Sequence, residues 1–212
     1  MKVSLSTNHL LATVYAACNG ETRYYLHGVN VEFLPKRTIY TATDGQILIC
    51  ATHEADNITG DQCKLDPMII DKASIKLLKL DKSGDTDHPV YDVLEGGRLA
   101  GRDHILKVID GTFPDYRRVV PSTVNNELAH YNLNLLLPFA ACCKKFEGYI
   151  EGVHNMPTIS HNGMGPGLVN MSSPGYECQL FGVAMPTRPG ELMTSRPTWL
   201  SENPATAAQA AE

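Results

Sequence analysis

One pattern recurs along this chain: a short strand, an amphipathic helix opened by a capping residue, then extended runs broken at turns. In its first occurrence Val3 to Leu5 alternates as a strand, and Ser6 or Thr7 can cap a helix carrying Leu10, Leu11, Val14, Tyr15 and Cys18 at helical spacing. Asn19-Gly20 ends that helix. Two extended stretches follow, Arg23 to Phe33 and Thr38 to Thr52, the second interrupted by the turn dipeptide Asp44-Gly45. The pattern restarts after a turn-rich stretch: Met68 to Ile70 reads as a strand, Asp71 caps a helix through Leu80, and strand-like runs lie at Val90 to Leu94 and Arg98 to Ile109. A third, shorter unit holds a helix over Leu133 to Phe146 and strands near Tyr149 to Val153, Gly167 to Ser172 and Glu177 to Met185. Pro138 falls inside this helix, which should therefore begin later or kink. Residues 189–212, with Pro197, Pro204 and an Ala-rich end, read as a flexible tail. Repeated units of this kind predict an α+β fold whose helices cover one face of antiparallel sheets.

Composition narrows what such a fold can do. With 212 residues and 43% hydrophobic content the chain can bury one substantial core and a smaller second one. A net charge of -5 argues against holding nucleic acid by broad attraction to phosphates, so any such contact must be local or topological. The 6 cysteines lack C-x-x-C spacing and read as reduced thiols of a cytoplasmic protein. Met1-Lys2 and the apolar run Leu10 to Cys18 have the outline of an export leader, but Ser4, Ser6, Thr7, Asn8 and His9 break its apolarity, and export is not expected. No stretch approaches the roughly 20 apolar residues of a membrane span.

Enzymatic chemistry finds little support. The 8 histidines are dispersed without acidic or cysteine partners at ligand spacing, so no metal is expected. Gly163-Met164-Gly165-Pro166-Gly167 lacks the Lys-Ser/Thr ending of a phosphate loop and reads as a hairpin connection. No Ser-His-Asp or Cys-His arrangement announces itself. The expectation is a binding protein with no cofactor.

Three ordered motifs carry a resemblance. Arg23-Tyr24-Tyr25-Leu26-His27-Gly28-Val29, Ala42-Thr43-Asp44-Gly45 and the run from Gly111 to Pro121, with Phe113-Pro114-Asp115-Tyr116-Arg117-Arg118-Val119 at its centre, resemble the middle domain of the DNA polymerase III beta subunit family, the sliding clamps of bacterial and phage replication. Val183-Ala184-Met185-Pro186-Thr187-Arg188 resembles the Met-Pro-Met-Arg terminus of that family, and Tyr131-Asn132-Leu133 stands where it has a Phe-Asn helix start. The resemblance implies a complete clamp-like domain of two half-domains over 1–121, a shortened C-terminal half-domain over 122–188, and sheets outside with helices on the inner face of a ring. It further implies a non-enzymatic processivity factor, a homo-oligomer that encircles duplex DNA and tethers a DNA polymerase or other replication and repair proteins.

The family's peptide groove, carried over by motif position, would use Leu26, Thr43, Gly45, Gln46, Ile47, Leu48, Pro114, Arg118 and Val119, with Asn132, Val183, Ala184, Met185, Pro186, Thr187 and Arg188 from the last unit. Where the family commonly has His-Arg-Leu after the turn, this chain has Gln46-Ile47-Leu48, which removes a cation and adds apolar surface. DNA contact would fall to Arg23, Tyr24 and Tyr25 and to Lys72, Lys76 and Lys79, which a helix would place on one face opposite Leu77, Leu78 and Leu80. From the residues alone the lysines read first as a solvated helix face, an order that the resemblance reverses, and at least one of the tyrosines reads equally as a half-buried strand aromatic. Two further readings stay open: an interaction protein of clamp ancestry that mimics or pairs with a clamp without encircling DNA, and a decaying remnant of a longer gene.

Overall fold

The computed structural model describes residues 2–20, 22–55, 57, 65–80, 89–95, 98–173 and 179–188. The expected flexible tail, 189–212, lies outside them. Strand β1 (Lys2–Ser4) leads into helix α1 (Thr7–Thr13), which a 3-10 turn at Val14–Ala16 extends. Ser6 caps α1, its hydroxyl accepting from the His9 amide. Next come β2 (Gly28–Leu34), β3 (Arg37–Thr43) and β4 (Ile47–Glu54). The second unit has β5 (Met68–Asp71), α2 (Lys72–Ile75), β6 (Val90–Leu94), β7 (Arg98–Ala100) and β8 (Ile105–Ile109). The third has α3 (Leu133–Phe146), β9 (Val153–Ser160), β10 (Gly167–Ser172) and β11 (Leu180–Ala184).

The strands form one antiparallel sheet in the order β1-β6-β7-β8-β5-β2-β3-β4-β11-β10-β9. The first two units exchange strands: β1 pairs with β6 and β2 with β5. The third unit joins at β4, where Ala184 stands opposite Ile47 and Leu180 opposite Ala51. Along β4 the side chains alternate, as the strand period demands. Ile47, Ile49 and Ala51 enter the large core beneath the helices, whereas Leu48 and Cys50 enter a small cluster on the opposite face with Tyr116 and Val183. On α3, Phe139, Cys142, Cys143 and Phe146 are buried at helical spacing and seal the same large core.

Several expectations need correction, beginning with the first helix, which with its 3-10 turn ends at Ala16, short of Cys18. The extended run from Arg23 opens instead with a 3-10 turn at Tyr24–Leu26, and β2 begins at Gly28, where the backbone runs so close to β5 that a Cβ would meet the Ile70 carbonyl. The helix from Asp71 is a single turn. Beyond Ile75 the residues facing the core are Leu78 and Leu80, a spacing of two that a helix cannot present to one side, and Leu77 is 79% exposed. Tyr149 to Val153 is a turn after α3, with Gly152 at positive φ, and the strand starts only at Val153. Arg98 to Ile109 is two strands. Nor does Pro138 delay or interrupt the third helix, which runs unbroken from Leu133 to Phe146. The carbonyl deprived of a partner belongs to Asn134, an exposed residue open to water, so the usual cost of an internal proline is softened.

Candidate functional site

Three distant stretches meet beside the β4–β11 seam. The first is the β3–β4 hairpin, whose tip is fixed by its own side chains. Asp44 Oδ1 accepts from the amides of Gln46 at 2.8 Å and Ile47 at 2.9 Å, while Thr43 Oγ1 accepts from the Gly45 amide at 3.0 Å and donates to the Ile47 carbonyl at 2.6 Å. Gly45 sits at φ 95°, a conformation that favours glycine, and a Cβ there would come within 2.8 Å of the Arg23 guanidinium.

The second stretch follows β8 and crosses the outer face as a 3-10 turn, Tyr116–Val119. Tyr116 is buried among Leu48, Cys50 and Val183, and that burial pushes its hydroxyl well above the usual tyrosine range. The neighbouring Arg117 forms a two-pronged ion pair with Glu32 of β2, at 2.6 and 3.2 Å, and lies 4.7 Å from the centre of the Tyr116 ring. This contact fastens the crossing segment to the sheet. The third stretch is the end of β11, where the Met185 amide donates to the Gln46 carbonyl at 2.9 Å and the Thr187 amide to the His130 carbonyl at 2.7 Å.

Between them lies a cleft of about 240 Å³ lined mainly by carbon. Of the groove residues expected from sequence, Leu26, Thr43, Gly45, Gln46, Ile47, Leu48, Pro114, Val119, Val183 and Met185 line it. Six do not. Arg118 is exposed and lies outside the lining, whereas its neighbour Arg117 pairs with Glu32. Ala184 faces the large core on the opposite side of β11. Asn132 spends its side chain capping α3, and Thr187 is engaged with His130; Pro186 and Arg188 lie beyond the lining.

The cleft also takes in residues that sequence reasoning placed elsewhere or missed. Arg23 and Tyr25, expected at DNA, are cleft walls, as are Asp115 and Tyr116. The spacing of Asp115 and Tyr116 within the Phe-Pro-Asp-Tyr motif was available as a signal. Nothing in the sequence signalled that Arg23 would fold over Gly45. Tyr24 remains outside, 56% exposed, with its ring edge-on to Tyr25 at 5.7 Å.

On the helix-bearing side Lys72, Lys76 and Lys79 share a wider concavity of about 580 Å³ with Lys145, over a floor that includes Leu11, Val14, Tyr15, Leu78 and Leu80. No helical stripe brings them together; the turn after α2 does. Lys72 is partly spent, since its ammonium donates to the Ala17 carbonyl and, at 2.9 Å, to Asn19 Oδ1. Burial, reinforced by Lys76, lowers its pKa. Lys145 extends over the Tyr15 and Phe146 rings, 5.7 Å from each centre. Among the described residues no group of three or more His, Cys, Asp or Glu could hold a metal ion, and no helix is long and apolar enough to cross a membrane.

No family model matches the chain. The beta sliding clamp of Escherichia coli K12 is 28% identical over 120 residues, which is 55% of this chain and 32% of that protein. The chain is beta-clamp-like. The DNA polymerase III subunit beta of Pseudomonas aeruginosa superposes with a TM-score of 0.62 at 18% identity, covering 89% of this chain and 66% of that one. The sliding clamp of Bartonella birtlesii, solved bound to griselimycin, gives 0.60 at 19% identity, covering 88% and 66%. The clamp-like chain has the DNA-clamp fold, and its matched stretch spans about a third of the curated relatives.

Proposed function

We propose that this chain is a DNA sliding clamp: a non-enzymatic, cytoplasmic processivity factor whose copies close a ring around duplex DNA and tether a polymerase or other replication and repair proteins. The observation that carries this reading is the cleft at the β4–β11 seam. It is apolar and open at a rim where Met185 is 37% exposed, and a flexible thioether there suits a range of anchoring side chains. An extended peptide with a few apolar or aromatic anchors is the occupant that fits.

The lysine concavity supports the DNA half of the proposal. In a chain of net charge -5, a small basic surface attracts phosphates weakly while the acidic remainder repels them, which favours topological retention with sliding over tight binding. Among the described residues the two ends of the sheet, β1 and β9, are unpaired edges, and Leu133 and Leu137 on α3 are exposed one helical turn apart, so edge-to-edge contact with further copies has a physical basis. The domain division carried into this proposal is a clamp-like domain over 1–121 and a half-domain over 122–188.

The test combines mass and topology. Light scattering should give a closed oligomer, and the protein should stay on circular duplex DNA and run off the same DNA once linearised. A monomer that captures peptides but shows no difference between the two DNAs would point to the interaction protein of clamp ancestry. Griselimycin, present in the solved Bartonella clamp, is a ready ligand with which to probe the cleft.

A further inference from the structure

The chain holds two Asn-Gly dipeptides, Asn19-Gly20 and Asn162-Gly163, and the fold treats them oppositely. Such a pair is a latent reaction, since the glycine nitrogen can attack the asparagine carboxamide carbon with no Cβ to hinder its approach. At Asn162 every participant is occupied. Its Oδ1 accepts from the Asn125 amide at 3.2 Å, its Nδ2 donates to the Pro166 carbonyl at 3.1 Å, and the buried Gly163 donates its amide to the Glu127 carbonyl at 2.8 Å.

Asn19 and Gly20 are exposed, just past the 3-10 turn that extends the first helix. The Lys72 ammonium donates to Asn19 Oδ1 at 2.9 Å and, on the other side of Cys18, to the Ala17 carbonyl. It therefore stands on the oxygen that gains negative charge when the carboxamide carbon is attacked. The Gly20 amide, the nucleophile, aims its hydrogen at Cys18 Sγ, 3.2 Å away. The Gly20 carbonyl is held by the His27 ring, so nucleophile, proton acceptor and cation are kept together around one short loop.

We propose that Asn19 is a self-modification site, where the Gly20 nitrogen closes on the Asn19 side chain to form a succinimide that water opens to aspartate or isoaspartate. In the first step a bond forms from the Gly20 nitrogen to Asn19 Cγ and the bond from Cγ to Nδ2 breaks. The Gly20 proton passes by way of the Cys18 sulfur to the departing nitrogen, which leaves as ammonia. In the second step water cleaves one of the two imide C–N bonds. No oxidant or cofactor enters. The product is a carboxylate beside Lys72, a cation of the helix-side concavity, so the reaction removes positive charge from that surface. Its effect on DNA rests on the proposed function, whereas the reaction itself does not.

The experiment incubates the full chain at neutral pH, folded and in denaturant, and follows both dipeptides by peptide mass mapping and isoaspartate detection. In the folded chain Asn19 should convert at least about tenfold faster than Asn162, and Lys72→Met should slow it about tenfold while Lys72→Arg restores most of the rate. Comparable conversion at the two sites of the folded chain, or the same preference for Asn19 persisting in denaturant, overturns the proposal. An undiminished rate in Lys72→Met overturns the part assigned to the cation. Converted protein and Asn19→Asp are then titrated with duplex DNA, and each should show a salt dependence flatter by a log-log slope of about 1. Conversion at Asn19 with an unchanged slope upholds the modification, and the failure then belongs to Lys72 as a phosphate contact.

Discussion

The two concave regions of this molecule are built on opposite principles. The cleft on the outer face is over-determined: a hairpin tip held by Asp44 and Thr43, a crossing segment fastened by Tyr116 and the Arg117–Glu32 pair, and a strand end held to Gln46. The concavity on the helix side is a floor of packed leucine, valine and tyrosine beneath long lysines, with Lys72 hydrogen-bonded to the Ala17 carbonyl and to Asn19. The difference teaches which kind of recognition each supports. A rigid apolar cleft discriminates among side chains, because its shape is set before the ligand arrives. On the proposed reading, long cations over an apolar floor would attract phosphate without fixing its register, as a sliding contact requires.

That contrast can be broken in several places. The largest expected effect is at Tyr116, whose replacement by alanine empties the centre of the outer cluster. Tyr116→Ala should lower unfolding free energy by about 3 kcal/mol in a denaturant titration and abolish cleft binding together with it. Equal stability in the variant would mean that the crossing segment is fastened by Arg117 alone. Next comes Met185→Asp, which introduces charge at the rim. It should weaken griselimycin or peptide capture by at least about thirtyfold while the melting temperature and retention on circular DNA stay unchanged. Loss of DNA retention in this variant would show that the two regions are not independent.

Lys76→Glu with Lys79→Glu is the converse experiment. Retention on circular DNA should fall, and the dependence of binding on salt should flatten by a log-log slope of about 2 if both lysines meet phosphates, with cleft binding unaffected. An unchanged slope leaves these lysines as solvated surface. Arginines sharpen the cleft map: Arg23→Glu should disturb ligand capture more than Arg118→Glu, since only Arg23 lines the wall. The reverse order would show that Arg118 swings inward when a ligand is present.

The smallest effect is in the pH dependence of stability. Burial pushes the Tyr91 hydroxyl up to about 12, so the unfolded chain loses this proton at lower pH than the folded one. Its contribution is complete below about pH 10 and is lost as pH climbs toward 12, and Tyr91→Phe should make the decline shallower across that window. A decline of unchanged steepness would shift the cause to Tyr40 and Tyr116, which burial also raises.

Much of this architecture was legible because it is periodic or locally capped. β6 and β10 fall on the runs their alternation predicts, α3 runs from the residue after Asn132 to Phe146, and the Asp44-Gly45 turn joins β3 to β4. The short α2 was not legible, since Lys72, Lys76 and Lys79 fit a helix as well as a turn until Leu78 and Leu80 find the core on a spacing of two. Nor could sequence choose between Arg117 and Arg118. Adjacent in the chain and alike in chemistry, they are separated only by the direction of a 3-10 turn and the position of Glu32 on another strand.

The sequence by itself determined the units, their caps and turns, and the two motifs whose meeting makes the cleft, because these depend on contacts within a few residues and on burial patterns with a short period. Tertiary structure alone decided which side chains line that cleft: that Arg23 closes over Gly45, that Ala184 turns away while Met185 turns in, and that Lys145 joins lysines some seventy positions earlier in the chain. The physical reason is that strand register and the path of a crossing segment are set by how distant surfaces pack, and a shift of one residue exchanges every wall for its neighbour.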